Sequence, residues 1–284
     1  MLIAKKIRKV RKNVRKAKME GKRVGFVPTM GFLHEGHLSL VRKAVQENDF
    51  VVVSIFVNPT QFGPHEDFDS YPRDYERDVS LLEKIDTDLI FIPEVAEMYS
   101  ENNSTFVNVN NITDRLCGSS RPAHFQGVTT VVSKLFNIVQ PDRAYFGQKD
   151  YQQLLVIKKM VKDLNFPVEI IGLPIVREED GLAMSSRNKY LNEEERRQAL
   201  ILYKSLLKAK ELVEKEKIYD IEVIRQQIKE MIDEKPAARI DYVQLVDPET
   251  LDDIDKVTDK LLIALAVYVG DTRLIDNMVI HING

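Results

Sequence analysis

Phe50 to Val57 reads FVVVSIFV, an almost unbroken run of apolar and mostly β-branched residues. Such a run makes a strand buried on both faces, which requires covering layers on each side of its sheet. The chain around it supplies them. Val24, Phe26 and Val27 form a short apolar run, and Leu38, Leu40 and Val41 begin a helical pattern. Further runs at Leu89 to Ile92, Ala144 to Phe146 and Val168 to Val176 are separated by helical patterns, notably Val128 to Val139 and the stretch through Ile157 and Met160. This alternation predicts an α/β fold, a Rossmann-like doubly wound parallel sheet.

The pattern changes after residue 175. Long Lys- and Glu-rich helices are predicted over 193–215 and 221–234. Strands follow around 240–246, 261–269 and 273–282, with Gly270 and Asp271 as a hairpin turn. Helices followed by antiparallel strands indicate a smaller C-terminal α+β domain, so the expected domains are 1–175 and 176–284.

With 284 residues and 44% hydrophobic content, the chain can bury a substantial core. One cysteine, Cys117, rules out an internal disulfide, and no apolar run reaches a membrane span. The expectation is a cytoplasmic protein without membrane or nucleic-acid partners, although the residues alone leave contact of a basic N-terminal segment with either open. The net charge is −3, yet residues 1–23 carry eleven Lys and Arg against Glu20 alone. Ile3, Ile7, Val10, Val14 and Ala17 fall at helical steps, so this segment is read as an amphipathic helix packed on the domain with a solvated basic face.

The stretch Phe26 to Leu40, FVPTMGFLHEGHLSL, joins the first strand of this alternation to its helix. Gly31 and Gly36 suit a sharp bend or a close approach to ligand, and the helix start offers unpaired amides to phosphate. His34 and His37, three apart, project from one side of the first helical turn and suit hydrogen bonding to phosphoryl oxygens. Spacing alone leaves open a zinc pair or two capping residues, although no Cys lies nearby. Elsewhere, Asn58 and Gln61 follow the Phe50 run where open sheets place ligands. Arg121 and His124 precede a helix, Lys149 and Asp150 follow a strand and a glycine, and Ser185, Ser186 and Arg187 combine hydroxyls with a guanidinium suited to polyphosphate. Each also has a plain reading as turn or cap chemistry.

Taken in order, PTMGFLHEGHLSL (28–40), SIFVNPTQFGP (54–64), YPR (71–73), RPAHFQGVTTVV (121–132), YFGQKDYQQL (145–154) and MSSRN (184–188) resemble the pantothenate synthetase family from end to end. Within them His34-Glu-Gly-His37 looks like the HxGH motif of the nucleotidyltransferase superfamily. Met184 to Arg187 looks like a reduced KMSKS loop.

The resemblance implies an AMP-forming ligase that joins pantoate to β-alanine through a pantoyl adenylate, with ATP and Mg²⁺, as a homodimer whose C-terminal domain is a lid. It implies that Met30, Gly31, Phe32, Leu33, His34, Glu35, Gly36 and His37 line the ATP site. His37, His34 and Lys149 would be catalytic. Gly147, Gln148, Lys149 and Asp150 would meet ribose and phosphate, Val176 adenine, and Met184, Ser185, Ser186 and Arg187 the triphosphate. Gln61, Gln153, Asn58 and Arg121 would serve pantoate, with Asp78 a candidate metal ligand. Two departures stand out. Gln148 replaces the family's usual Glu, and the loop lacks the first Lys of KMSKS, which places more weight on Lys149 and Arg187.

Overall fold

A computed structural model describes residues 1–64, 66–257 and 259–282. In chain order its elements are β1 (Leu2–Ala4), α1 (Ile7–Met19), β2 (Val24–Thr29), α2 (Glu35–Glu47), β3 (Phe50–Ile55), α3 (Tyr75–Glu83), β4 (Leu89–Phe91), α4 (Val95–Met98), α5 (Cys117–Ser120), α6 (His124–Val139), β5 (Arg143–Gly147), α7 (Tyr151–Asp163) and β6 (Glu169–Leu173). Then come α8 (Glu193–Ala199), α9 (Ile201–Glu214), α10 (Ile221–Asp233), β7 (Ala238–Val246), β8 (Lys260–Val269) and β9 (Thr272–His281).

The chain forms two units. The first comprises 1–110, 121–148 and 153–174; the second comprises 111–120, 149–152 and 175–284. In the first, a six-stranded parallel sheet has the order β1-β4-β3-β2-β5-β6. Val27, Val51, Val53, Ile55 and Ile90 on one face pack with Leu38, Val41 and Ala44 of α2 and Leu82 of α3. On the other face Phe26 meets Phe136 of α6 edge-on, with ring centroids 6.4 Å apart. Helices therefore cover both faces, as the β-branched β3 requires. The chain builds outward from β2 through β3 to β4, then crosses to β5 and β6. The crevice beyond the carboxyl ends of β2 and β5 is thus the switch point of the sheet, the place where open α/β sheets bind ligands.

The second unit packs α9 and α10 onto the antiparallel sheet β7-β8-β9, with Leu202, Leu206, Ile224 and Ile228 against Leu245, Ile263, Leu265 and Val267. The Gly270 turn between β8 and β9 is left-handed, with φ +56.

Three expectations are corrected. Ile3 lies in β1, paired with Ile90 and 41% exposed, whereas Val10, Val14 and Ala17 form the buried stripe of α1. A four-residue step from Ile3 to Ile7 looks helical in sequence, and the strand pairing that competes with it is long-range. The strand expected to reach Val57 ends at Ile55; Phe56 and Val57 stay buried after the ladder stops, so their apolar character extends the pattern past the strand. The helix expected over 193–215 is two helices meeting at Leu200, whose ψ of −16 tightens the chain there.

Candidate active site

The turn after β2 is built by its main chain. Gly31 and Phe32 both take positive φ, +86 and +49. A side chain on Gly31 would place Cβ 2.8 Å from Ile55 Cγ2 and 3.0 Å from Asp78 Oδ2, so glycine is required by both angle and space. Thr29 Oγ1 accepts from the Gly31 amide at 3.2 Å and donates to the Ser54 carbonyl at 2.8 Å. Asp78 of α3, fully buried, accepts from the Phe32 and Leu33 amides, each at 2.7 Å. Burial pushes the Asp78 carboxyl above the usual range, and those amides and Arg77 only partly oppose it. Arg77 also donates to the Leu33 carbonyl at 2.8 Å and lies over the Phe32 ring.

His34 is then the N-cap of α2 and His37 its third residue. Their rings sit 4.0 Å apart at 40°. The His34 amide donates to His37 Nδ1 at 3.4 Å. With Nδ1 accepting, the ring proton of His37 resides on Nε2, a donor suited to an anionic oxygen. Both histidines are half-buried. Glu35 is exposed and paired with Arg42, so its side chain is engaged at the surface.

At the end of β3, Asn58 is 1% exposed and acts as a clip. Its amide donates to the Gly127 carbonyl and Gln61 Oε1, both at 3.1 Å, and its oxygen accepts from the Tyr99 hydroxyl at 2.8 Å and Thr60 Oγ1 at 3.0 Å. Gln61 is oriented by that contact and by Met30, whose sulfur lies 3.2 Å from Nε2. The structure therefore brings Gln61 and Met30 together and gives Asn58 the task of holding them. A Cβ on Gly127 would stand 2.4 Å from the Thr60 carbonyl oxygen, so the start of α6 closes on this turn only as glycine. Arg121 grips Glu66 through Nε at 2.7 Å and a second nitrogen at 2.5 Å, and lies 3.2 Å from His124 Nε2. Burial alone would raise the Glu66 carboxyl, but the Arg121 bonds and charge hold it below the usual range. At the end of β5, a Cβ on Gly147 would meet nothing within 4 Å. Gln153 is half-buried on α7.

The second unit carries the remaining candidates. Lys149 and Ser185 line one small cavity with Asn188 and Asp276. Asp150 is exposed. The Val176 carbonyl accepts from the Met184 amide at 3.0 Å, and Arg177 bridges Ala183 in a narrow hairpin. Ser185 caps the turn Ser186–Tyr190, accepting from the Arg187 amide at 3.2 Å. Asn188 ties that turn back to Glu178 Oε1 at 2.7 Å and the Ala183 carbonyl at 3.1 Å. Ser186 is buried and Arg187 half-buried.

Three supporting residues escape sequence reasoning: Gln152, which donates to the carbonyls of Ile112 and Arg115, and the adjacent Asp276 and Asn277. A faint signal exists for the last two, since Asp-Asn interrupts the apolar run LIDNMVI, where such residues are disfavoured in a strand. Among the described residues no group of three His, Cys, Asp or Glu is placed to hold a metal. Both oxygens of Asp78 are taken by amides. No described helix is long and apolar enough to cross a membrane.

A family model described as Pantoate-beta-alanine ligase matches residues 2–279. A pantothenate synthetase of Caldicellulosiruptor bescii is 59% identical over 281 residues, 99% of this chain and 99% of its own. One from Thermosipho africanus is 57% identical over 281 residues, 99% of this chain and all of its own. Among solved structures, pantothenate synthetase from Thermus thermophilus superposes with TM-score 0.93 at 48% identity, covering 98% of this chain and 99% of that one. The pantoate-beta-alanine ligase of Francisella tularensis, solved in complex with beta-gamma ATP and beta-alanine, gives TM-score 0.81 at 37% identity over 98% and 97%.

Proposed function

The chain belongs to the pantoate-beta-alanine ligase family, and from that premise we propose how its own residues divide the reaction. A pantoate carboxylate oxygen attacks the α-phosphorus of ATP, the bond to the bridging oxygen breaks, and pyrophosphate leaves. The amine of β-alanine then attacks the carbonyl carbon of the pantoyl adenylate, loses a proton, and AMP departs with the pantothenate amide formed. Adenylation turns a poor leaving group into a good one, and the protein's task is to align the reactants and keep water from the mixed anhydride.

The observation that carries this reading is the histidine pair at the switch point of the sheet, rings 4.0 Å apart on the first turn of α2. The amide-rich turn from Met30 to His37 receives the nucleotide, and His37 Nε2, supported by His34, donates to the phosphoryl oxygens as charge develops. Gln61 and Gln153 hold pantoate, with Asn58 and Arg121 fixing the turn that presents Gln61. Gly147 offers open backbone beside the ribose, with Gln148 and Asp150 flanking it. Lys149 offsets charge on the α-phosphate and the departing pyrophosphate. Val176 meets adenine through its backbone, while Met184, Ser185, Ser186 and Arg187 take the triphosphate.

Mg²⁺ belongs to the same proposal and would neutralise the pyrophosphate, held chiefly by phosphate oxygens. A homodimer and a lid role for the residues after 175 also belong to it. Sedimentation at about twice 32.7 kDa, and slower amide exchange over 184–188 on adding ATP with pantoate, check these two features.

The deciding experiment is pantoate-dependent exchange of pyrophosphate into ATP. His37→Ala and Lys149→Ala should keep the wild-type circular dichroism and melting temperature and lose exchange by about 100-fold or more, and EDTA should abolish it in the wild type. Near-wild-type exchange in both variants would sink the assignment.

A further inference from the structure

Asp276 and Asn277 are consecutive on β9, yet only 2% and 7% exposed. Alternation along the strand sends them to opposite faces, Asp276 to the side where Leu274 and Ile280 join the helix-covered core and Asn277 to the other. Each fastens a different loop. Asp276 forms a two-pronged ion pair with Arg177, at 2.7 and 2.9 Å. The same guanidinium donates to the Gly181 carbonyl at 3.1 Å and stacks on Tyr203, 3.9 Å from its ring centre. Arg177 opens the hairpin that runs into Met184 and Ser185. Asn277 Nδ2 donates to the main-chain carbonyl of Lys149 at 2.8 Å. Two further bonds hold the same short segment: Tyr151 donates to the Pro248 carbonyl at 3.1 Å, and Gln152 accepts from the Cys117 amide at 3.0 Å.

A lysine on a flexible four-carbon stem places its charge no more accurately than its backbone is placed. Tyr151 and Gln152 hold the end of this segment, and at Lys149 itself Asn277, 128 residues away, takes the main-chain carbonyl. Its carboxamide is specific to the task, because a carboxylate there would set an oxygen against the carbonyl.

We propose that Asp276 and Asn277 are positioning residues for adenylyl transfer, one strand step that locks the Lys149 main chain and the hairpin ahead of Ser185 into a single polyphosphate-gripping frame. The proposal rests on the role given to Lys149 above. A lysine and a serine loop presented at a fixed spacing meet the α-phosphate and the pyrophosphate together, whereas loosening either by about 1 Å lowers the rate steeply.

The test separates the two half-reactions. Asn277→Ala and Asn277→Asp should lower kcat for pantoate-dependent pyrophosphate exchange about 10-fold or more, leave KM for pantoate unchanged, and leave consumption of supplied pantoyl adenylate by β-alanine at the wild-type rate. Asp276→Asn, which keeps shape and one acceptor for Arg177, should raise KM for ATP in the same exchange assay. Wild-type exchange in the Asn277 variants beside an inactive Lys149→Ala overturns the positioning role alone. Equal losses in both half-reactions, tracking a lowered melting temperature, also overturn it, since that pattern marks a general packing role. Should Asn277→Ala melt early, Asn277→Asp and Asp276→Asn are read by the same criteria. If Lys149→Ala itself retains exchange, the reading of the lysine falls first and takes this inference with it.

Discussion

Asp78 accepts from two backbone amides with no solvent exposure, and removing its carboxylate takes that acceptor from both at once. Each buried donor left unsatisfied costs about 1–3 kcal/mol. Asp78→Ala is therefore expected to destabilise the protein by about 2–4 kcal/mol and to raise KM for ATP, because the Phe32–Leu33 turn leads directly into His34. Asp78→Asn keeps an acceptor for one amide and sets its own NH2 against the other, but it removes a charge that burial already disfavours and leaves no cavity, so it should be milder on both counts. Denaturant melts and ATP titrations of the two variants check this; equal effects would assign the loss to the charge. The sequence shows Asp78 as a spare carboxylate, and a carboxylate without a visible partner invites a metal. Its partners lie 45 and 46 residues away, which no local pattern records. The histidines are different, since their three-residue spacing fixes their shared side as soon as a helix start is placed there.

At the scale of elements, strand and helix types were legible wherever one period dominated, as in β3 or in the buried stripe of α1. Edges were not, because Ile3, Val57 and Leu200 are decided by pairing and packing partners elsewhere in the chain. Tyr145 on β5 illustrates such a partnership: fully buried, it donates to Glu47 Oε2 at 2.9 Å and accepts from Asn48 Nδ2 at 2.7 Å, tying the strand to the end of α2. Burial, with Glu47 adding to it, pushes its hydroxyl up to about 12. An unfolded tyrosine ionises near 10, so the folded state holds this proton more tightly. The stabilisation is fully present below pH of about 10 and is lost as pH rises from there to about 12. Tyr145→Phe is expected to cost about 1 kcal/mol at neutral pH through the lost hydrogen bonds and to lack this alkaline limb. The gap in unfolding free energy between wild type and variant should thus narrow or invert as pH rises from about 10 to about 12. A constant gap would show that the hydroxyl does not titrate in this way.

For the whole molecule, alternation of strand and helix before residue 175 and the antiparallel pattern after it revealed both architectures. They did not reveal that residues 111–120 and 149–152 group with the later unit. Within that unit Gln152, Tyr151 and Asn277 make bonds that span 35 to 128 residues of sequence, which no local pattern records. Lys149 falls within the later unit, and His34, His37 and Gln61 within the earlier one. In the ligase reaction the adenylate is an intermediate that only an amine consumes, so each chain should form one adenylate and keep it until an amine arrives. Rapid quenching of enzyme with ATP and pantoate alone should therefore release one pyrophosphate per chain in a burst with no free AMP. Adding β-alanine should start steady turnover, with AMP and pantothenate appearing in equal amounts. A transferase that simply releases a nucleotidyl product would continue past the first equivalent without any amine, and that result would remove the ligase mechanism together with the residue roles built on it.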